Sequence, residues 1–225
     1  MERKVVLTQD GSSSLFVPQF NQCYHSIHGA IQESEHIFIH HGLNADILSD
    51  RQELHIFEMG FGTGLNALLT MLHQNDRKIY YTAVEKYPLE QAEIQSLNYV
   101  QQLSEYESVQ DFFSLLHQAP FDKEVAVTPQ FSILKLNTSL LDVSLSRNGY
   151  NLVYFDAFSP DMQPELWSEE VFLQLYQSMT NNSILLTYST KGIVKRALRA
   201  AGFTIENCPV RQVKEKFCEQ RNKNQ

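Results

Sequence analysis

Phe57-Glu58-Met59-Gly60-Phe61-Gly62-Thr63-Gly64-Leu65-Asn66 is the stretch from which the rest of the chain is read. It follows the apolar run Leu54–Phe57 and precedes a helical pattern, Leu65-Asn66-Ala67-Leu68-Leu69-Thr70-Met71-Leu72. The order is strand, glycine turn, helix. Glu58 ends the strand, and Gly60, Gly62 and Gly64 stand at alternate positions. Glycine lets the backbone take positive φ and lets a ligand approach with no Cβ in the way. Nucleoside cofactors are held in this manner at the carboxyl end of a first parallel strand. A tight turn with no ligand would also use glycines, but Glu58 in register with them favours binding. The spacing is G-x-G-x-G. A dinucleotide fingerprint needs its last glycine one residue later, where Leu65 stands, and this counts against an NAD-dependent or nucleotide-sugar enzyme.

Outward from this turn, strands alternate with helices. Strands are expected at 54–58, 79–84, 131–136, 151–155 and 183–189, and helices at 65–74, 88–97, 109–117, 168–179 and 192–200. Phe203–Glu206 and Val213–Phe217 are expected to form a closing strand pair. The alternation predicts an α/β fold with a doubly wound, mainly parallel sheet and helices on both faces. Before it, residues 4–8 and 14–17 flank Asp10-Gly11-Ser12-Ser13 and predict a β-hairpin. Residues 19–50 read as helix and loop. Residues 1–53 are therefore an N-terminal hairpin and helical extension of the same domain, and 54–225 its core.

Composition sets bounds. At 225 residues, 43% hydrophobic and 20% charged, the chain is an ordinary soluble domain in make-up. No run approaches the roughly 20 apolar residues that cross a bilayer, and Met1-Glu2-Arg3-Lys4-Val5 does not resemble a signal peptide. Cys23, Cys208 and Cys218 lack metal-ligand spacing and read as free thiols in a reducing cytoplasm. No metal site is expected. The net charge of −8 is unevenly spread. Residues 186–225 carry nine Lys/Arg against three Glu, a net +6, which leaves −14 for the remainder. An acidic body with a basic end can bind a polyanion through one surface. Lys191, Lys195, Arg196 and Arg199 fall at helical spacing and make one basic stripe; Arg211, Lys214 and Lys216 are second choices. A solvated charged face is the plain alternative.

Two further acids stand where a nucleoside site needs them. Glu85 follows Glu58 by 27 residues and ends the second strand, where a carboxylate accepts the ribose hydroxyls. The fourth strand ends Leu152-Val153-Tyr154-Phe155-Asp156, so Asp156 points into the crevice beside the cofactor. Ala157-Phe158-Ser159-Pro160-Asp161-Met162-Gln163-Pro164-Glu165-Leu166-Trp167 then makes a stiff, aromatic-lined wall.

The E-x-G-x-G-x-G sequence resembles the first motif of the class I S-adenosylmethionine-dependent methyltransferases. A narrower resemblance follows from Asp10-Gly11-Ser12, Tyr24-His25-Ser26, Gly29-Ala30 with Glu33-Ser34, Glu58 through Asn66, Glu85-Lys86-Tyr87-Pro88-Leu89, and Asp156-Ala157-Phe158-Ser159-Pro160 with Gln163-Pro164-Glu165-Leu166-Trp167. Leu186-Thr187-Tyr188-Ser189 and the segment Val194–Phe203 also match. Together they resemble the bacterial tRNA methyltransferase family that completes 5-methylaminomethyl-2-thiouridine at the wobble position. The likeness covers roughly residues 10–205. Val210–Phe217 departs from the family's closing strand.

The resemblance implies methyl transfer from S-adenosylmethionine to the amine of 5-aminomethyl-2-thiouridine in tRNA. Its implied cofactor residues are Glu58, Gly60, Gly62, Gly64, Asn66 and Glu85, with Asn137 or Thr138 toward the adenine; those last two equally suit a helix N-cap. Asp156 is the implied catalytic group, expected to orient the amine. Phe158, Trp167 and Tyr188 line the substrate side, and Tyr24 and Glu33 lie on a lid. A small-molecule or protein amine is the alternative substrate.

Overall fold

The computed structural model describes residues 1–208 in full and residues 217–222 by their backbone. A small antiparallel sheet comes first, of β1 (Lys4–Leu7), β2 (Ser13–Val17) and β3 (Gln22–Cys23). The Asp10 carboxylate ties its first turn by accepting from the Ser12 amide at 2.9 Å. Helix α1 (Ala30–Ser34) runs on as a π-helical segment, Glu35–Leu43. The main sheet and its helices follow: β4 (Glu53–Met59), α2 (Leu65–His73), β5 (Lys78–Val84), α3 (Gln91–Gln95), α4 (Tyr99–Gln102), α5 (Val109–Gln118), β6 (Val125–Thr128) and β7 (Phe131–Leu136). Then come β8 (Tyr150–Phe155), α6 (Glu169–Ser178), β9 (Met179–Thr187), α7 (Gly192–Ala200), β10 (Thr204–Cys208) and β11 (Phe217–Asn222).

The strand order is β10-β11-β9-β8-β4-β5-β7-β6. The five central strands, from β9 to β7, are parallel; β11 and β6 run opposite to them, and β10, antiparallel to β11, runs with them. Chain order reverses between β4 and β8, so the crevice of a doubly wound sheet opens at their carboxyl ends. Both faces are covered, which is why β8 is buried almost throughout. Ile56, Tyr81, Tyr154 and Leu186 pack with Phe38, Leu43, Leu68 and Phe113 on one face. Phe57, Val153, Phe155 and Leu185 pack with Phe172, Leu175, Val194 and Leu198 on the other. No helix among the described residues is long and apolar enough to cross a membrane.

Four expectations are corrected. The helix expected at 88–97 is the shorter α3, Gln91–Gln95, and a second short helix, α4, follows it. Glu93 accepts from the Glu90 amide at 2.8 Å, so a capping box starts α3 at Gln91, beyond Pro88. Asn98 then accepts from the Ser13 amide at 2.7 Å and donates to the Gly11 carbonyl at 2.9 Å, a tie to the hairpin that separates α3 from α4. β9 begins at Met179 and not at 183, because Asn182 takes φ 54° and the strand bulges across Thr180-Asn181-Asn182 without ending. The short edge strand β6 was not expected. The closing strand pairs residues 217–221 with 204–208, beginning where the expected segment ended; residues 213–216 lie outside the described ones.

The π-helical segment lies tight on the sheet. A Cβ on Gly42 would sit 2.4 Å from Leu186 Cδ1 and 3.4 Å from Tyr154 Cε1, and both side chains are fully buried. Gly42→Ala is expected to destabilise the fold by about 1–3 kcal/mol through overpacking, read as a lower urea midpoint with an unchanged slope.

Candidate active site

A cleft of about 650 Å³ opens at the carboxyl ends of β4, β5 and β8. Its floor is the glycine loop and its roof is the segment from Phe20 to Glu33.

The loop is held to β5 by its backbone. Gly60 and Phe61 both donate to the Val84 carbonyl, at 3.1 and 3.2 Å. The Glu85 carboxylate accepts from the Gly62 amide at 2.8 Å and from the Tyr87 amide at 2.7 Å. Burial pushes the Glu85 carboxyl above its ordinary range, against the pull of these donors. Gly62 has φ 51°, and a Cβ there would lie 2.9 Å from Tyr24 Cδ1. Only glycine allows that turn and the lid's approach together.

Tyr24 anchors the roof segment. Its hydroxyl accepts from Arg3 Nε at 3.0 Å, and Arg3 also pairs with Glu93 at 2.9 Å and donates to the Tyr87 carbonyl. Burial, then the charge of Glu85, raise the Tyr24 phenol to about 12. His25 Nε2 lies 2.7 Å from Thr63 Oγ1, which also accepts from the Tyr99 hydroxyl at 3.1 Å. Burial lowers His25 to about 4, so it is neutral at pH 7. Glu33 accepts from the Ser26 amide at 2.9 Å and braces the end of the lid.

Asp156 enters from β8, its amide donating to the Met59 carbonyl at 3.2 Å. Asn66 Nδ2 donates to Asp156 Oδ2 at 2.9 Å and to Glu58 Oε1 at 3.0 Å. Burial raises Asp156 to about 7, while the Asn66 amide opposes the shift. Burial also lifts Glu58 well above its ordinary value. Beyond Asp156, Phe158 meets Phe20 and Tyr24 with ring centroids 5.0 and 5.1 Å apart. Gln22 donates to Ser159 Oγ at 2.5 Å and accepts from the Ser159 amide at 3.2 Å, clasping lid to wall. The Tyr188 hydroxyl donates to the Ala157 carbonyl at 2.9 Å.

Gly60, Gly62, Asn66, Glu85, Asp156, Phe158 and Tyr188 therefore line one cleft, with Tyr24 and Glu33 of the lid. Other expected residues are placed elsewhere. Glu58 is 1% exposed and sits behind the wall, reaching it through Asn66. Gly64 turns away; a Cβ there would meet His117 and Phe61, each at 3.1 Å. Asn137 is exposed and Thr138 is off the cleft, where the wall is Ser139 and Leu141. Trp167 is 3% exposed, against Phe155 and Tyr188, its indole donating to the Phe158 carbonyl at 2.8 Å. It supports the aromatic wall from behind and offers no face to a substrate.

On α7, Arg196 and Arg199 are exposed, Lys195 donates to Asn207 Oδ1 at 3.0 Å, and Lys191 is ion-paired with Asp161. Arg211, Lys214 and Lys216 lie outside the described residues. The sequence reading missed Phe20, Gln22 and Arg3. Nothing in a two-residue strand and an N-terminal arginine signals a cleft roof.

The family described as S-adenosyl-L-methionine-dependent methyltransferase matches residues 105–220. The chain belongs to this family. It is also 28% identical over 217 residues to the tRNA 5-methylaminomethyl-2-thiouridine biosynthesis bifunctional protein MnmC of Cupriavidus metallidurans, covering 91% of this chain and 31% of that protein. The protein of the same name in Magnetococcus marinus is 31% identical over 212 residues, with 86% and 30% covered. The chain thus spans under a third of the length of these curated relatives. The crystal structure of MNMC2 from Aquifex aeolicus superposes with a TM-score of 0.79 at 22% identity, covering all of this chain and 72% of that one, so the fold is shared.

The cleft of this methyltransferase fits S-adenosylmethionine. The Glu85 carboxylate, with about four acceptor positions and two backbone donors, keeps capacity for ribose hydroxyls. Glu33, Glu85 and Asp156 give the lining an acidic character that suits a cationic sulfonium. Glu85→Ala is expected to weaken S-adenosylhomocysteine binding by about 10- to 150-fold, the loss of one charge-assisted acceptor. Calorimetry checks this, and an unchanged dissociation constant removes Glu85 from the cofactor site.

Proposed function

We propose that this methyltransferase transfers a methyl group to the primary amine of 5-aminomethyl-2-thiouridine at the wobble position of tRNA, in the cytoplasm. The observation that carries the reading is Asp156. A carboxylate with a raised pKa shares one cleft with the glycine loop and Glu85, and stands against the aromatic Phe158. The names of the relatives, which concern tRNA 5-methylaminomethyl-2-thiouridine biosynthesis, support the same substrate.

S-adenosylmethionine, when bound, supplies an activated methyl on a sulfonium whose leaving group is a neutral thioether. No acid is needed to expel it. The chain's own tasks are alignment and provision of an uncharged amine. Alignment contributes about 7–11 kcal/mol in well-oriented systems. The amine arrives as an alkylammonium, and its lone pair is free only after a proton leaves. An ordinary Asp is a poor partner for such an acid. At about 7, Asp156 is about three units closer to an alkylammonium of about 10.4. It therefore accepts an N–H hydrogen bond and takes the proton before the nitrogen becomes a nucleophile. The proton that leaves the ammonium is held on an Asp156 carboxylate oxygen, and the amine keeps its lone pair for the methyl that the cofactor would supply. Phe158, held by Phe20, Tyr24 and the Trp167 hydrogen bond, offers a ring face to the unstacked base.

The exposed Arg196 and Arg199, with Lys195 beside them on α7, are the proposed phosphate contacts; Lys191 is the weakest, because Asp161 already neutralises it.

Asp156→Ala is expected to lower turnover on tRNA from a strain lacking the modification by more than about tenfold, with cofactor affinity little changed. Wild-type turnover is expected to rise through about pH 7, as the carboxylate ionises. Retention of more than a tenth of the rate, or a flat profile across that range, removes the role. For the surface, Lys195→Ala/Arg199→Ala is expected to flatten the salt dependence of tRNA binding by about 0.7–0.9 log units for each phosphate that is no longer neutralised. An unchanged slope moves the tRNA surface elsewhere and favours a small-molecule or protein amine.

A further inference from the structure

Asn66 is the second residue of α2 and only 3% exposed. Both hydrogens of its amide nitrogen are engaged by carboxylates, Glu58 Oε1 at 3.0 Å and Asp156 Oδ2 at 2.9 Å. Its own helix fixes it. Thr70 Oγ1 donates to the Asn66 carbonyl at 2.7 Å and lies 3.3 Å from the Tyr154 hydroxyl.

We propose that Asn66 is a positioning residue for methyl transfer, one that fixes the Asp156 carboxylate on the cleft wall and couples its ionisation to the buried Glu58. The proposal rests on reading Asp156 as the group that receives the substrate amine. It differs from a cofactor contact, the role suggested by the place of Asn66 in the glycine motif.

The geometry explains why the residue is asparagine. Two carboxyl groups served by one nitrogen, away from bulk water, do not both ionise cheaply. The groups facing them are Tyr81 from β5 and Glu85 just past its end, Tyr154 from β8 and Tyr99 from α4. None is a cation, and no Lys or Arg is ion-paired with Asp156 among the described residues. The Asn66 amide is the side-chain donor that favours the anion. Glu58 is the deeper of the two, 1% exposed, and burial outweighs the Tyr81 hydroxyl and the Asn66 amide that favour its anion. A buried carboxylate with no cation beside it is costly, and its protonated form is not. Glu58 therefore holds the proton, and the negative charge goes to Asp156, on the side from which the amine arrives. Leucine or alanine at 66 would supply no donor, and aspartate would add a third carboxyl group.

The test uses Asn66→Ala, with Asn66→Ser as a second variant in case the first does not fold, and S-adenosylhomocysteine calorimetry as the control. Losing the donor raises the pKa of Asp156 by about one to two units. The acid limb of the kcat–pH profile moves up by the same amount. At pH 7 kcat falls about five- to fiftyfold and recovers toward pH 9, while the cofactor dissociation constant stays within about threefold. Loss of cofactor affinity with an unmoved acid limb overturns the proposal and makes Asn66 a cofactor contact. An unmoved limb with unchanged kcat overturns it as well. Wild-type enzyme that is inert on tRNA would sink the substrate reading instead. The coupling is then decided by carbon-13 titration of the Asp156 carboxyl, assigned with Asp156→Asn: an upward move in Asn66→Ala sustains it, and no move ends it.

Discussion

β4 is hydrogen-bonded in parallel to β5 along one edge and to β8 along the other, and the cleft exists because these three strands end together. Parallel pairing puts Glu58 opposite Ala83 and Tyr154, and leaves Glu85 and Asp156 one step beyond their strands. Each acid is delivered by its own strand, from parts of the chain that are far apart in sequence. The glycine loop carries the chain from the end of β4 into α2. Its amides take up the Val84 carbonyl and the Glu85 carboxylate as it goes.

The chemistry depends on removing carboxylates from water without leaving them unpartnered. Desolvation works against each anion, and donors work for it. Glu85 has backbone amides and remains engaged on both oxygens. Asp156 has the amide of one asparagine, and its pKa rises to about 7. The same physics thus gives two acids at the ends of neighbouring strands different uses. One is held by backbone amides on both oxygens, and the other has its pKa near neutrality. The roof segment completes the arrangement, with Tyr24 against Gly62 and Phe158, His25 beside Thr63, and Phe20 against Phe158.

Several motif residues are supports and not walls. Gly64 makes room for His117 and Phe61, and Trp167 holds the Phe158 carbonyl from the core side. Behind the loop, the buried Lys135 donates to the Leu116 carbonyl at 2.7 Å and lies over the rings of Phe61 and Phe121. A cation there meets the carbonyl end of α5, which favours it. Burial still lowers it to about 8. Its effect is to hold Phe61, and with it the loop, against the sheet.

The sequence by itself determined the alternation of strands and helices, the strand–glycine–helix turn, and the acids at the carboxyl ends of β5 and β8. These are local signals: period, turn chemistry and spacing, each carried within a few residues. The extents of β7 and α7 matched for that reason. What the tertiary structure decided is which side of each motif faces the ligand. Glu58 and Trp167 look like wall residues from spacing, but the packing of α2 and of the 3-10 turn Pro164–Trp167 turns them inward. The break between α3 and α4 comes from a hairpin more than 80 residues earlier in the chain. The lid needs Arg3, Tyr24 and Glu93 to meet, and no single window of sequence contains all three. The coupling of Glu58 to Asp156 through Asn66 is of the same kind. It arises from two strands and a helix converging on one nitrogen, a fact of three dimensions that no periodicity carries.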